Sequence, residues 1–513
     1  MGVELSNIRK SYNDKRVLVD VSLSVEDDEN TFIIGPNGSG KSTLLRILAD
    51  VDRTFRGHRA GPSRGDIAYV PQEITYQSSD RTVLQHLHDQ AIHSETIALA
   101  IKAMHGMGLS RKFDLERRLC ELSGGEKRKL ELSIAFSSQA ELACLDEPTN
   151  DLDAAGIHWL QSAIQNSSIP IVSITHNSEL LEDSLNRYIR IEDEGSSIVS
   201  FRGLFQDYLE MKSRQLSSSC HQYLQAKEEK KRLEQAINKK RNWAIKGQYK
   251  KPKDNDKGRI KAARERSMKS ARQAKAMETR YDRLPDPTKP FEKPVFRWDL
   301  QSNNKSHRPV ISVINATVGY SGHFELGPID LNITAGSKWL IKGHNGIGKT
   351  TLLRSFTEPG LVLDGKIEVK PNVRIEYLSQ EICSLRQELS ILHYLVEESR
   401  STTQQCMHAL SLAQFHRSRC NELVSELSSG ELVKLVLCCL SLKSPQVIVL
   451  DEPTNHLDFE ACQIVIDALS EYDGTLVIVT HEAKFEEALP LIKVVHLEEI
   501  SSKRFVHPKA ARL

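Results

Sequence analysis

Twice along this 513-residue chain an apolar run leads into a glycine-rich segment that ends in lysine and two hydroxyls. After TFII come Gly35, Pro36, Asn37, Gly38, Ser39 and Gly40, then Lys41, Ser42 and Thr43. After WLIK come Gly343, His344, Asn345, Gly346, Ile347 and Gly348, then Lys349, Thr350 and Thr351. Glycines let backbone N–H groups close around phosphate oxygens, a following helix adds its positive end, and the lysine supplies a full charge. Ser42 and Thr350 are placed to ligate Mg2+.

Further on, the apolar runs LACLDE and VIVLDE each end in two carboxylates. Asp146 and Asp451 are placed to hold the metal through water, and Glu147 and Glu452 to polarise an attacking water. The runs IPIVSITH and TLVIVTH end in His176 and His481, within reach of a terminal phosphate. Gln72 in YVPQE and Gln380 in YLSQE are positioned to sense the metal or the attacking water, and Tyr12 and Tyr320 to stack on adenine.

Those side chains work only if strands end together beside helix starts, and the spacing says that they do. Lys41 to Lys349 and Gln72 to Gln380 are each 308 residues apart, while Ser123 to Ser428, Asp146 to Asp451 and His176 to His481 are each 305. Five landmarks in register make the chain a tandem repeat of one α/β unit. Ahead of the carboxylates, LSGGE supplies Ser123, Gly124, Gly125 and Glu126, and LSSGE supplies Ser428, Ser429, Gly430 and Glu431. If Ser429 must adopt positive φ it costs about 1 kcal/mol or more; at an ordinary helix start serine is acceptable, and tolerance is the expectation.

Together these motifs resemble ATP-binding cassette ATPases over nearly the whole chain. The resemblance implies ATP and Mg2+ as cofactors, ATP hydrolysis, and cassettes paired head to tail. On that arrangement Lys41, Gln72, Glu147 and His176 face residues 428–431, and Lys349, Gln380, Glu452 and His481 face residues 123–126. One chain then makes two composite sites by itself, and the one loaded by Lys41 and completed by Ser429 is expected to turn over more slowly. DEPTNHLD at residues 451–458 resembles the ABC-F subfamily, whose members act on ribosomes. The first copy departs from it, with Asp151 in place of the histidine. THNSELL and THEAKFE depart from the S-H-D-R-x-F that usually follows there.

Between the copies lies a polycation. Residues 212–283 hold 23 Lys and Arg against 8 Asp and Glu, in a protein whose net charge is +1. Two runs of strong helix formers, from Lys212 to about Ile245 and from about Arg259 to Leu284, carry narrow apolar seams: Leu233, Ile237 and Ala244, then Ala274, Met277, Tyr281 and Leu284. Packed along them, the helices form a hairpin reaching about 45 Å. Its turn brings together Trp243, Lys246, Tyr249, Lys250, Lys251, Lys253, Lys257 and Arg259, suited to phosphate chains and to stacking on bases. The expected domains are therefore 1–212 for the first cassette, 213–305 for the hairpin and a proline-rich connector, and 306–513 for the second cassette. In ABC-F proteins the corresponding linker enters the ribosome and contacts transfer RNA near the peptidyl-transferase centre. The second run and the tip resemble members that protect ribosomes from antibiotics.

Composition narrows the alternatives. Hydrophobic residues at 39% and charged residues at 27% describe a globular protein, and no apolar stretch is long enough to span a bilayer. Nine scattered cysteines without a C-x-x-C pair and an N-terminus without an apolar signal point to the reducing cytoplasm. The expected partners are ribosomal RNA and P-site tRNA, without a membrane, the protein acting as a monomer. The rivals are an ATPase serving separately encoded membrane subunits, and a nucleic-acid remodelling ATPase.

Overall fold

A computed structural model describes residues 2–12, 15–26, 29–76, 80–90, 94–109, 115–177, 180–181, 186–191, 198–249, 257–283, 296, 309–322, 324–378, 388–453, 457–480, 483–489 and 492–497. The chain forms two compact units, Met1–Phe205 with Pro294–Leu513, and Gln206–Lys293.

The larger unit holds both repeats. In the first, strands Ile67–Val70, Leu142–Asp146, Ile171–Ile174, Thr31–Ile34, Asn186–Ile191 and Ile198–Gly203 lie side by side in that order. All neighbours are parallel except the last pair. Its central strands, TFII, LACLD and IVSI, are buried at every residue, which is why they read as unbroken apolar runs rather than alternating ones. A second sheet orders Lys15–Val25, Val3–Tyr12 and Arg56–Ala60 in antiparallel register. In Val3–Tyr12 the buried residues Val3, Leu5 and Ile8 share a core with helix Lys41–Leu48, and so hold that helix at the end of Thr31–Ile34.

The second repeat follows the same plan. Its parallel sheet runs Ile375–Leu378, Val447–Asp451, Thr475–Val479, Lys338–Lys342 and Ile492–His496, and its antiparallel sheet joins Phe324–Thr334, Pro309–Tyr320 and Val362–Val369. In both repeats the functional loops leave the carboxyl ends of parallel strands, where open α/β sheets bind ligands.

The smaller unit is a pair of helices, the first at Phe205–Tyr249 and the second at Lys257–Arg283. The first begins upstream of the expected Lys212, because Phe205 is buried against Tyr188 and Phe459 at ring distances of 5.6 and 5.7 Å. At 45 residues it is about 67 Å long, more than the spacing of the apolar seams suggests. Among the described seam residues Ile237 and Ala274 are buried, at 7% and 3% exposure. Around them Arg280 pairs with Glu229 at 2.9 Å, Arg241 with Glu278 at 2.8 Å, and Ser270 donates to the Lys240 carbonyl at 3.3 Å.

Candidate active site

Each glycine loop caps its helix with a glycine in the left-handed region, Gly40 at φ 97° and Gly348 at φ 104°. A Cβ on Gly40 would sit 3.0 to 3.1 Å from Val17 and Leu18, so bulk as well as backbone reserves the position for glycine. Lys41 is buried and donates to the Gly35 and Pro36 carbonyls, both at 2.9 Å. Lys349 donates to the Gly343 carbonyl at 2.7 Å and to Asn345 Oδ1 at 3.2 Å. These contacts hold each ammonium over the mouth of its loop, where phosphate oxygens can replace the carbonyls.

Asp146 ends strand Leu142–Asp146 and Glu147 follows it directly, with 2% and 7% of their surface exposed. Ser42 Oγ donates to Asp146 Oδ1 at 3.2 Å, joining the loop hydroxyl to the carboxylate expected beside the metal. In the second repeat Tyr377 donates to Asp451 Oδ2 at 3.1 Å, while buried Asp451 Oδ1 has no partner. Glu147 and Glu452 both stand in the left-handed region, at φ 48° and 51°. That conformation costs a non-glycine residue about 1 to 2 kcal/mol, and its recurrence marks the two positions as constrained by function.

Burial pushes the Glu147 carboxyl above the ordinary 4.5, against the pull of Lys41. Burial lowers the Lys41 ammonium in turn, and Glu147, Asp458 and Asp146 oppose that. His176 is held at about 3, by burial first and Lys41 second, so its ring is neutral. Its Nε2 lies 3.1 Å from Glu147 Oε1 without making a hydrogen bond, and both residues line the same cavity.

A cavity of about 400 Å³ gathers Tyr12, Lys41, Ser42, Gln72, Glu147 and His176 from the first repeat, and the second repeat adds Glu452, Leu457 and Thr480. A companion of about 370 Å³ gathers Tyr320, Lys349, Thr350, Thr351 and Glu452, with Asp151 and Leu152 from the first repeat. The loops are tied across the repeats: Asn37 N–H donates to Asp458 Oδ2 at 3.2 Å, and Asn345 Nδ2 to the Asp151 carbonyl at 2.9 Å.

Ser123 and Ser428 cap helices Gly124–Ser137 and Ser429–Lys443, each in a reciprocal capping box with Glu126 or Glu431. Ser429 is the first residue of its helix and is not among the residues with positive φ, so the position does not require glycine. Gly125 approaches the opposite loop, its Cβ position 3.8 Å from Asn345 Nδ2. Ser428 is exposed and does not line the cavity around Lys41. Gln380 and His481 lie outside the described residues, as do Lys250, Lys251 and Lys253 of the hairpin turn. Trp243 is 59% exposed on the first hairpin helix; Lys246, Tyr249, Lys257 and Arg259 belong to the two helices by their backbone.

Four residues in or beside the site received no role from the motifs: Asp458, Leu457, Thr480 and Arg128. The first two had a signal, the Leu-Asp that follows both acidic pairs at the same offset. Arg128 had none, since the repeat places Val433 at its counterpart.

The family model described as ABC transporter matches residues 18–150 and 326–455. A ribosome protection protein, VmlR, of Bacillus subtilis (strain 168) is 27% identical over 499 residues, spanning 96% of this chain and 86% of that protein. ABC transporter F family member 5 of Arabidopsis thaliana is 27% identical over 552 residues, spanning 97% of this chain and 75% of that one. An archaeal ribosome recycling factor, solved in complex with an archaeal ribosomal stalk protein, shares the fold at a TM-score of 0.58 and 17% identity, over 95% of this chain and 87% of that chain. With two phosphate loops, two strained glutamates and both repeats matched by one family, the chain is an ATP-hydrolysing enzyme that belongs to the ATP-binding cassette family, in its F branch.

Proposed function

We propose that this ATPase acts on the ribosome in the cytoplasm, as a monomer whose two composite sites close on ATP and whose hairpin then lies against ribosomal RNA and the P-site tRNA near the peptidyl-transferase centre. Hydrolysis times release. The observation that carries this reading is the hairpin: 23 basic against 8 acidic residues, with Lys231, Arg232, Lys239, Arg266, Lys269, Arg272 and Lys275 all exposed. Charge of that density recognises phosphate backbones whatever their sequence. The inter-helix pairs Arg241–Glu278 and Arg280–Glu229 are exposed or half-exposed and contribute little to stability, and the basic surplus is what a partner would meet. Among the described residues no helix is long and apolar enough to cross a membrane. The relative named as a ribosome protection protein supports a role in antibiotic resistance or translation regulation.

At each site the loop N–H groups and lysine hold the phosphates, and Glu147 or Glu452 takes the proton of the attacking water. Neutral His176 is placed to donate toward the terminal phosphate, with His481 its counterpart in the repeat. Mg2+ fits the residues present: the Ser42 hydroxyl meets Asp146, and Asp451 Oδ1 is buried and unpartnered. When bound it would be held by Ser42, Asp146 and Gln72, or by Thr350, Asp451 and Gln380, and would neutralise charge on the phosphates.

Cosedimentation tests the reading. With Glu147→Gln and Glu452→Gln together, ATP should trap the protein on ribosomes, and replacing residues 250–256 by a short Gly/Ser turn should release it. Unchanged cosedimentation without the tip, or equal ATPase stimulation by naked RNA or by membranes, would overturn the proposal. Growth in ribosome-targeting antibiotics decides whether protection is part of it.

A further inference from the structure

The helix that presents Ser123 also grips the loop that carries Gln72. Arg128, 2% exposed, donates from Nη1 to the Pro71 carbonyl at 2.6 Å and from Nη2 to the Gln72 carbonyl. Two neighbours on the same helix hold the loop again, four residues on. The Lys127 ammonium lies 6.0 Å from the centre of the Tyr76 ring, and Glu131 bonds His86 at 2.9 Å, whose ring meets Tyr76 edge-on at 5.2 Å. A buried guanidinium is costly unless its donors are used, and two of these are spent on backbone carbonyls, so the loop and the helix move as one piece.

The second repeat does not carry these side chains at the matching positions. The residues 305 positions on from Lys127, Arg128 and Glu131 are Leu432, Val433 and Val436, none of which carries a side-chain donor. The two ends of the Arg128 connection also serve different nucleotides. Gln72 lines the cavity of Lys41, whereas Gly125, at the head of the helix, approaches Asn345 in the loop of Lys349.

We infer that Arg128 is a positioning residue that couples occupancy of the Lys41 site to turnover at the Lys349 site, through a side chain that the second repeat replaces with Val433. The inference rests on the composite-site reading. ATP at the Lys41 site draws on Gln72; the main chain of Gln72, held by Arg128, draws the signature helix with it; and Ser123 is thereby set against the nucleotide on Lys349. Binding energies coupled this way are reciprocal, but rates need not be, so the two sites can respond unequally.

Single-turnover hydrolysis in a Glu147→Gln background reports the Lys349 site alone. Emptying the other site with Lys41→Ala should slow that turnover by a factor within about 5 to 150, the usual span of allosteric coupling. In Arg128→Val the same comparison should shrink to below about twofold, and Arg128→Lys should restore part of the ratio. A purely structural role would lower both rates equally and leave the ratio intact, and that result overturns the inference. Should Arg128→Val fail to fold by circular dichroism, Arg128→Met, which keeps the side-chain volume, is read by the same ratio. Ser123→Arg separates the underlying reading: it should abolish turnover at the Lys349 site in every background, and loss at the Lys41 site instead would mean that the composite pairing has failed.

Discussion

Glu147 combines a left-handed backbone with a carboxyl that burial keeps protonated above its ordinary 4.5. A raised carboxyl binds more protons folded than unfolded, so its contribution to stability is present at low pH and is lost as pH rises from 4.5 through the raised value. Glu147→Gln, permanently neutral, should therefore leave the melting temperature of the nucleotide-free protein unchanged at about pH 5 and raise it above about pH 8. Melting curves at the two pH values check this. The signature glycines separate as cleanly. A Cβ at Gly125 would meet the Asp151 carbonyl at 2.7 Å, whereas at Gly124 it would lie 3.3 Å from a carboxylate oxygen of Asp151 that a serine hydroxyl can bond. Gly125→Ala should lower turnover at the Lys349 site by about a hundredfold through misplacement, and Gly124→Ser, which copies Ser429, should keep it within about twofold. Steady-state ATPase rates in Glu147→Gln decide both.

Among elements, the hairpin rests on a thin seam. Ala274→Glu would force a charge into a buried position of the hairpin, at about 1 to 3 kcal/mol, and should weaken ribosome cosedimentation while leaving ribosome-free ATPase unchanged. The seam could be read from the sequence because helix period and apolar spacing are local properties. The phosphate loops were legible for the same reason: glycine, lysine and hydroxyl lie within nine residues, between a buried strand and a helix start. The early start of the first hairpin helix was not, since Phe205 is held by Tyr188 and Phe459, residues remote from it in sequence. Nor was the bond from Asn37 to Asp458, which spans 421 residues and depends on how two repeats meet. Motif comparison finds what both copies keep, and so it passes over Arg128, which only one copy has.

At the scale of the molecule the repeats are alike in plan and unequal in detail. Asp153 caps its helix and pairs with Lys129 at 3.0 Å, and its counterpart Asp458 caps its helix and reaches the opposite phosphate loop. Arg128 in the first repeat against Val433 at its counterpart makes unequal sites the expected state. Single-turnover hydrolysis should be slower in Glu452→Gln, which leaves the Lys41 site working, than in Glu147→Gln; the reverse order would refute it.

The contacts from Asn37 to Asp458 and from Asn345 to Asp151 join partners on one polypeptide. Closure is then a first-order event: each cassette meets its mate at an effective concentration set by the tether, of millimolar order for a short flexible one, rather than by how much protein the cell makes. ATPase activity per molecule should therefore stay constant on dilution, while two cassettes produced as separate chains should lose activity steeply as they are diluted. A single chain thus brings both repeats to each cavity, and needs no second copy of itself to supply them.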